Sequence, residues 1–260
     1  MKTTATRKMH KSALNLIQDQ LKKHALGKLE FLSFIGTRPW GIARENVDYD
    51  YRGIYSSKQE NTYQAFINQI YINNCAKDII LISLERFVGD ILNSSIQSLI
   101  WLNSPVIYAS KDFLEFKKWV NSHLSRGIYR SCRSRRKCHD RKDYLYDFFF
   151  MGNGISVLEK KKIIANLPEL NKKVLQTPAI NKIIEEEKKE IRFKSKKLCE
   201  KILLKLKKRL EKAREKSGLP EKINKEKLTK LKIVKKIDYK YWLEEGYGPR
   251  YMKEMKKMGI

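Results

Sequence analysis

At 260 residues the chain is long enough to bury one substantial core or two modest ones. Its 56 Lys and Arg against 29 Asp and Glu leave a formal charge of +27 and a pI near 9.9, beyond what solubility requires, so a polyanionic partner is the economical reading. Four dispersed cysteines (Cys75, Cys132, Cys138 and Cys199) and the lack of a continuous apolar stretch exclude a disulfide scaffold, a signal peptide and a membrane span, and predict an intracellular (cytoplasmic) protein with reduced thiols.

In chain order, Leu14, Ile17 and Leu21 recur at helical spacing and predict an opening amphipathic helix over Lys8 to Ala25. A strand over Glu30 to Ile35 follows, then a glycine-bounded turn, Gly36-Thr37-Arg38-Pro39-Trp40-Gly41. Further strands are expected at Val47 to Tyr55 and Lys77 to Ile82. Helices then take over at Leu84 to Leu92, Ile96 to Leu102, Lys111 to Leu124 and Lys142 to Glu159, with Pro168 and Pro178 as punctuation. Ile184, Ile191, Leu198, Ile202, Leu206 and Leu210 predict one long amphipathic helix over about residues 180 to 216, ended by Gly218 and Pro220. A shorter element near Leu228 to Val234 and an aromatic patch, Asp238 to Leu243, complete the chain. The expected class is α+β, a mixed sheet followed by an all-α region, divided as 1–110, 111–178 and a basic helical extension over 179–260.

Chemistry concentrates at the first turn. On a strand, Asp48 and Asp50 project from one face, and two adjacent carboxylates repel unless a cation lies between them. Mg²⁺ is commonly held by one or two carboxylates together with substrate phosphate oxygens. Gly36 and Thr37 supply a turn whose backbone and hydroxyl can approach a polyphosphate closely, and Arg38 abuts it. Arg44 and Arg52 are further candidate phosphate contacts, and Trp40 could border a nucleotide.

At Ile35-Gly36-Thr37, a ten-residue spacer and Asp48-Tyr49-Asp50, the chain resembles the DNA polymerase β-like nucleotidyltransferase superfamily. The continuation Tyr51-Arg52-Gly53-Ile54-Tyr55, and Asp78 before Leu84-Glu85-Arg86-Phe87, look like its branch in bacteria and phages that includes a subgroup linked to RNA repair. The family often carries Asn-Pro and Glu where this chain has Asn93-Ser94-Ser95 and Ser98, and its helical-half Lys and His have only a partial echo in Lys142 to Tyr146, to which no role is carried over. The resemblance implies a pyrophosphate-releasing transfer of a nucleoside monophosphate from an NTP such as ATP to an acceptor hydroxyl. Asp48, Asp50 and Asp78 would be catalytic and metal-binding, with Mg²⁺ or Mn²⁺ as the ion, and Gly36, Thr37 and Arg38 would bind the nucleotide. The acceptor is expected to be nucleic acid, RNA first. Nucleotidylation of a protein or small molecule, and a catalytically silent nucleic-acid-binding protein of the same fold, stay open.

The excess charge has two centres. Between Arg126 and Lys142 eight basic residues face only Asp140, interleaved with Tyr129 and followed by Tyr144, so Arg133, Arg135, Arg136 and Lys137 are candidate nucleic-acid contacts. From Asn181 onward 27 Lys and Arg face 13 Asp and Glu, and Lys201, Lys205 and Lys208 fall along one flank of the expected helix. Cys132, Cys138 and His139 invite a zinc reading that lacks a clear second ligand pair.

Overall fold

The computed structural model describes residues 4–23, 26–45, 47–56, 70–74, 77–133, 138 and 140–235. A first helix, α1 (Thr4–Lys23), leads into β1 (Lys28–Ile35), β2 (Tyr49–Ser56), β3 (Ile70–Asn74) and β4 (Lys77–Ser83). Helices α2 (Leu84–Leu92) and α3 (Ile96–Asn103) precede a short β5 (Val106–Ala109) and α4 (Lys111–Ser122). The five strands form one mixed sheet in the order β3-β4-β2-β1-β5, in which only β2 and β4 run parallel.

Alternation gives each strand two faces. Tyr51 and Tyr55 of β2 and Ile79 and Leu81 of β4 lie against Ala13, Ile17 and Leu21 of α1, and the buried Tyr51 hydroxyl shares a 3.0 Å hydrogen bond with His10 Nδ1. Ile54 and Ile82 belong to the main core on the opposite face. Asp50 and Arg52 share the parity of Ile54, and Asp78 that of Ile82, so the charged ends of both strands face the helices. A bulge between Leu29 and Phe31 lets Leu29 and Leu32 meet α1 while Phe31 enters the main core.

The helix starts read from the sequence at Leu84, Ile96 and Lys111 follow directly on Ser83, Ser95 and Ser110, whose hydroxyls accept from Arg86, Ser98 and Phe113 N–H. Beyond them lie α5 (Ile128–Cys132), α6 (Arg141–Lys160), α7 (Leu167–Leu170), a π-turn (Asn171–Leu175) and α8 (Pro178–Lys188), then α9 (Lys196–Lys216), α10 (Lys225–Thr229) and α11 (Lys232–Lys235). A reciprocal capping box of Asp140 and Asp143 opens α6. Phe148, Phe149, Met151, Ile155 and Leu158 make it apolar on all sides, as a central helix must be. At Gly154 an added Cβ would fall 2.6 Å from Cys132 Sγ and 3.0 Å from Leu210 Cδ1, so this glycine lets α5 and α9 close onto α6.

Two expectations need correction. Strands β3 and β5 were not expected; both are short and pair antiparallel at the sheet edges, where partners rather than local pattern create a strand. The single helix over 180 to 216 is two, α8 and α9, although no Pro or Gly marks the break. Arg141, buried on α6, donates to the carbonyls of Glu186 (2.8 Å) and Ile191 (2.6 Å), and Glu190 takes a left-handed φ of 53°. The expected stripe breaks there too: Ile191 is 50% exposed, while Ile202, Leu206 and Leu210 are buried. Residues 238–243 lie outside the described residues. Among the described residues no helix is long and apolar enough to cross a membrane.

Candidate active site

Strand register builds the acidic end of the sheet. Asp50 of β2 lies beside Asp78 of β4 in the parallel ladder, and beside Ile35, the last residue of β1, on its other flank. Neighbouring strands are about 4.8 Å apart, so the two carboxylates are forced together by backbone pairing. Gly36 follows at once with φ +82°, and a Cβ built there falls 1.9 Å from Asp50 Oδ2. Only glycine admits both the backbone conformation and the carboxylate. The turn closes through Trp40 N–H to Gly36 O (3.2 Å) and Ile42 N–H to Thr37 O (3.0 Å). It is docked on the helical half by Leu167 N–H to Trp40 O (2.9 Å) and Asn166 Nδ2 to Pro39 O (3.2 Å).

This end opens into a cleft of about 800 Å³. One wall carries Gly36, Asp50, Arg52 and Asp78; the other carries Lys142, Asp143, Tyr146, Asp147 and Phe150 of α6 with Arg130 and Arg133 of α5 and its C-cap; Trp40, Gln97 and Trp101 are among the remaining lining residues. The Asp50 carboxyl is pushed up to about 6, first by burial and then by Asp78 and Asp48, against the opposing pull of Arg52 and Lys142. Tyr146 is pushed up to about 12, by burial and then by Asp50, which places its ring within the field of the acids. Lys142 Nζ lies 5.7 Å over that ring, and Trp40 meets it edge-on at 5.7 Å.

The expected residues divide. Gly36, Asp50, Asp78 and Arg133 line the cleft. Asp48 is exposed just ahead of β2, near enough to raise Asp50. Thr37 and Arg38 are not lining residues. Thr37 is 9% exposed within the turn, and Arg38 donates to Val47 O (3.0 and 2.6 Å) and Glu45 O (3.1 Å) with its guanidinium 4.6 Å over Tyr49. Its geometry holds the loop that carries Asp48. Arg44 pairs with Glu187 at 2.8 Å, and Arg52 lies 5.4 Å over the Trp101 ring while donating to Tyr51 O. Arg135, Arg136, Lys137 and His139 lie outside the described residues. Cys138 donates its thiol proton to Asp147 (3.2 Å) and is pushed up to about 12, by burial and then by that carboxylate, a setting that disfavours a thiolate ligand.

Lys142 and Tyr146 received no role from the sequence. Their signal was the i, i+4, i+8 spacing of Lys142, Tyr146 and Phe150, which lie on one face of α6. Among the described residues no three His, Cys, Asp or Glu side chains group closely enough to hold a metal ion by themselves. Asp50 and Asp78 nevertheless fit a hard divalent ion that completes its shell with substrate oxygens, because they present half-buried, mutually repelling oxygen ligands.

A sequence model described as the RNA repair pathway DNA polymerase beta family matches residues 9–234. Among solved structures, the chain is similar to a nucleotidyltransferase-like protein from Exiguobacterium sibiricum 255-15, at 13% identity and a TM-score of 0.34 over 80% of this chain and 74% of that one. That likeness transfers no residue role. No curated protein sequence matches the chain.

Proposed function

The chain belongs to the RNA repair pathway DNA polymerase beta family, and on that premise we propose that it transfers a nucleoside monophosphate from an NTP to an acceptor hydroxyl on nucleic acid, RNA first. The observation that carries this reading is the register-paired Asp50 and Asp78 beside a positive-φ glycine, facing cations across a cleft of about 800 Å³. Segment 1–110 supplies the acids and the turn, segment 111–178 supplies Lys142 and Tyr146, and 179–260 adds a basic extension whose described part, up to Lys235, contains α8 to α11.

Asp50 and Asp78, with Asp48 beside them, would hold the divalent ion, Mg²⁺ or Mn²⁺, whose chemistry is neutralisation of phosphate charge and a lowered pKa for the attacking hydroxyl. Lys142 and Arg52 flank the acids and would bind triphosphate oxygens. Gly36 brings the turn backbone against the acid cluster, where a side chain would exclude a phosphate as surely as it would displace Asp50. Thr37 and Arg38 serve by shaping the turn and the Asp48 loop. Tyr146, Trp40 and Trp101 offer aromatic surface to the base. The acceptor oxygen attacks the α-phosphorus, the bond to the bridging oxygen of the β-phosphate breaks, pyrophosphate leaves, and the hydroxyl proton passes to the Asp78 carboxylate.

The test is transfer of label from [α-³²P]NTP, with [γ-³²P]NTP as control. Label from the α-position alone, on RNA, DNA, a protein or a metabolite, identifies the acceptor class. Failure of folded wild-type protein to transfer α-label to any acceptor in Mg²⁺ or Mn²⁺ overturns the reading.

A further inference from the structure

The cleft has a second end rich in arginine. Arg130 and Arg133, which line it, continue outside onto Arg126 and onto Arg214 of α9. Three of these four arginines converge on a single carboxylate: Glu221 lies 3.3 Å from Arg126, 3.7 Å from Arg130 and 3.8 Å from Arg214. Arg133 and Arg214 both lie over the Tyr129 ring, at 5.9 and 4.7 Å. The group is built rather than incidental. Arg126 and Gly127 N–H donate to the carbonyls of Pro220 (2.8 Å) and Glu221 (3.1 Å), and buried Leu219 and Ile223 anchor that loop on either side. Four guanidiniums and Lys207 against Glu221 and Glu211 leave a local charge of about +3, whose mutual repulsion is relieved by a bound polyanion.

A free phosphate or a membrane surface would satisfy the charge alone, but neither explains why the cluster runs into the cleft that holds the acid pair. We propose that Arg126, Arg130, Arg133 and Arg214, arranged by Glu221 and Tyr129, bind the sugar–phosphate backbone of the acceptor strand and lead its hydroxyl end to Asp50 and Asp78. This rests on the nucleotidyl-transfer reading and adds to it the route taken by the acceptor. Planar guanidiniums grip successive phosphates with two bonds each and read no base, so the site accepts strands of varied sequence.

The experiment uses the full chain and a labelled single-stranded oligoribonucleotide, with the deoxy oligonucleotide in parallel. Binding is measured against salt, and transfer is measured separately. Arg130→Gln with Arg133→Gln is compared with Lys22→Gln with Lys28→Gln, which removes the same charge at the end of α1 and the start of β1, Lys28 lying about 23 Å along the strand from the acids. The arginine pair should weaken RNA affinity on the order of ten-fold, lower the salt slope by about 1.4, and raise the acceptor KM while leaving the NTP KM unchanged. The lysine pair should do markedly less. Arg214→Gln, on a different helix, should follow the arginine pair in direction, and circular dichroism reports whether each variant is folded. Equal losses from the two pairs, or none, overturn the proposal while α-label transfer still stands. Absence of transfer in a protein that binds RNA through the arginines overturns the catalytic reading instead.

Discussion

The two walls of the cleft are held in place by different physics. The acidic wall is backbone-determined: the parallel pairing of β2 with β4 sets Asp50 beside Asp78, and Gly36 is wedged against Asp50. The basic wall is side-chain-determined: Lys142, Arg130 and Arg133 reach the cleft from separate segments, held by capping, a buried guanidinium and a shared glutamate. The contrast teaches that the acidic wall should tolerate almost no change, whereas the basic wall should weaken by degrees.

The largest effect is expected at the acids. Asp50→Asn removes a charge that no carboxamide replaces, and transfer should fall by on the order of 10³-fold or more, read as kcat in a label-transfer assay. The same variant should be more stable than wild type at pH 7 without divalent ions. The folded Asp50 carboxyl titrates at about 6 against an ordinary 3.8, so the native state holds the extra proton between those values. Wild-type stability should therefore fall as pH rises through that window and stay level above it. Because the group is only half-buried, the gain on mutation should be on the order of 1 kcal/mol, measured by urea unfolding. Activity should carry an acid limb near pH 6, where the proton competes with the ion.

Next comes the joint between the walls. Arg141 is 4% exposed and satisfies Glu186 O, Ile191 O and the Glu187 carboxylate, which also pairs with Arg44 of the segment before β2. Arg141→Met leaves Glu187 half-paired and should cost about 3 kcal/mol of stability, with cooperative unfolding retained. A change below about 1 kcal/mol would mean that the joint is not what holds α8 in place.

Gly36→Ala should be smaller in stability, about 1–2 kcal/mol for the positive φ, yet disproportionately damaging to transfer because the new methyl displaces Asp50. A proportionate loss of the two would detach the turn from the chemistry. The mildest effect belongs to the basic wall. Lys142→Gln should raise the NTP KM by roughly ten-fold with kcat little altered, and should move the acid limb to higher pH, since Lys142 lowers the Asp50 pKa. An unmoved limb would remove Lys142 from the site.

Much of the molecule was legible because it follows local rules. Serine caps mark three helix starts, alternation marks which faces of β2 and β4 are apolar, and a glycine between a strand and an acid pair marks the turn. These act within about four residues, which a linear reading can see. The edge strands, the break in the C-terminal helix and the hydrogen-bond partners of Arg38 were not legible. Each depends on a partner brought from elsewhere: a sheet edge for β5, Arg141 for the end of α8, and the Val47 carbonyl for Arg38.

The sequence by itself determined the charge and the α+β class, because composition, periodicity and spacing carry that information along the chain. Tertiary structure alone decided that Asp50 meets Asp78, and that Lys142 and Tyr146, some ninety positions beyond Asp50, face the acids across one cleft. Strand register and helix packing are settled by the whole buried core, so the meeting of distant side chains is a property of the fold and not of any segment that contributes to it.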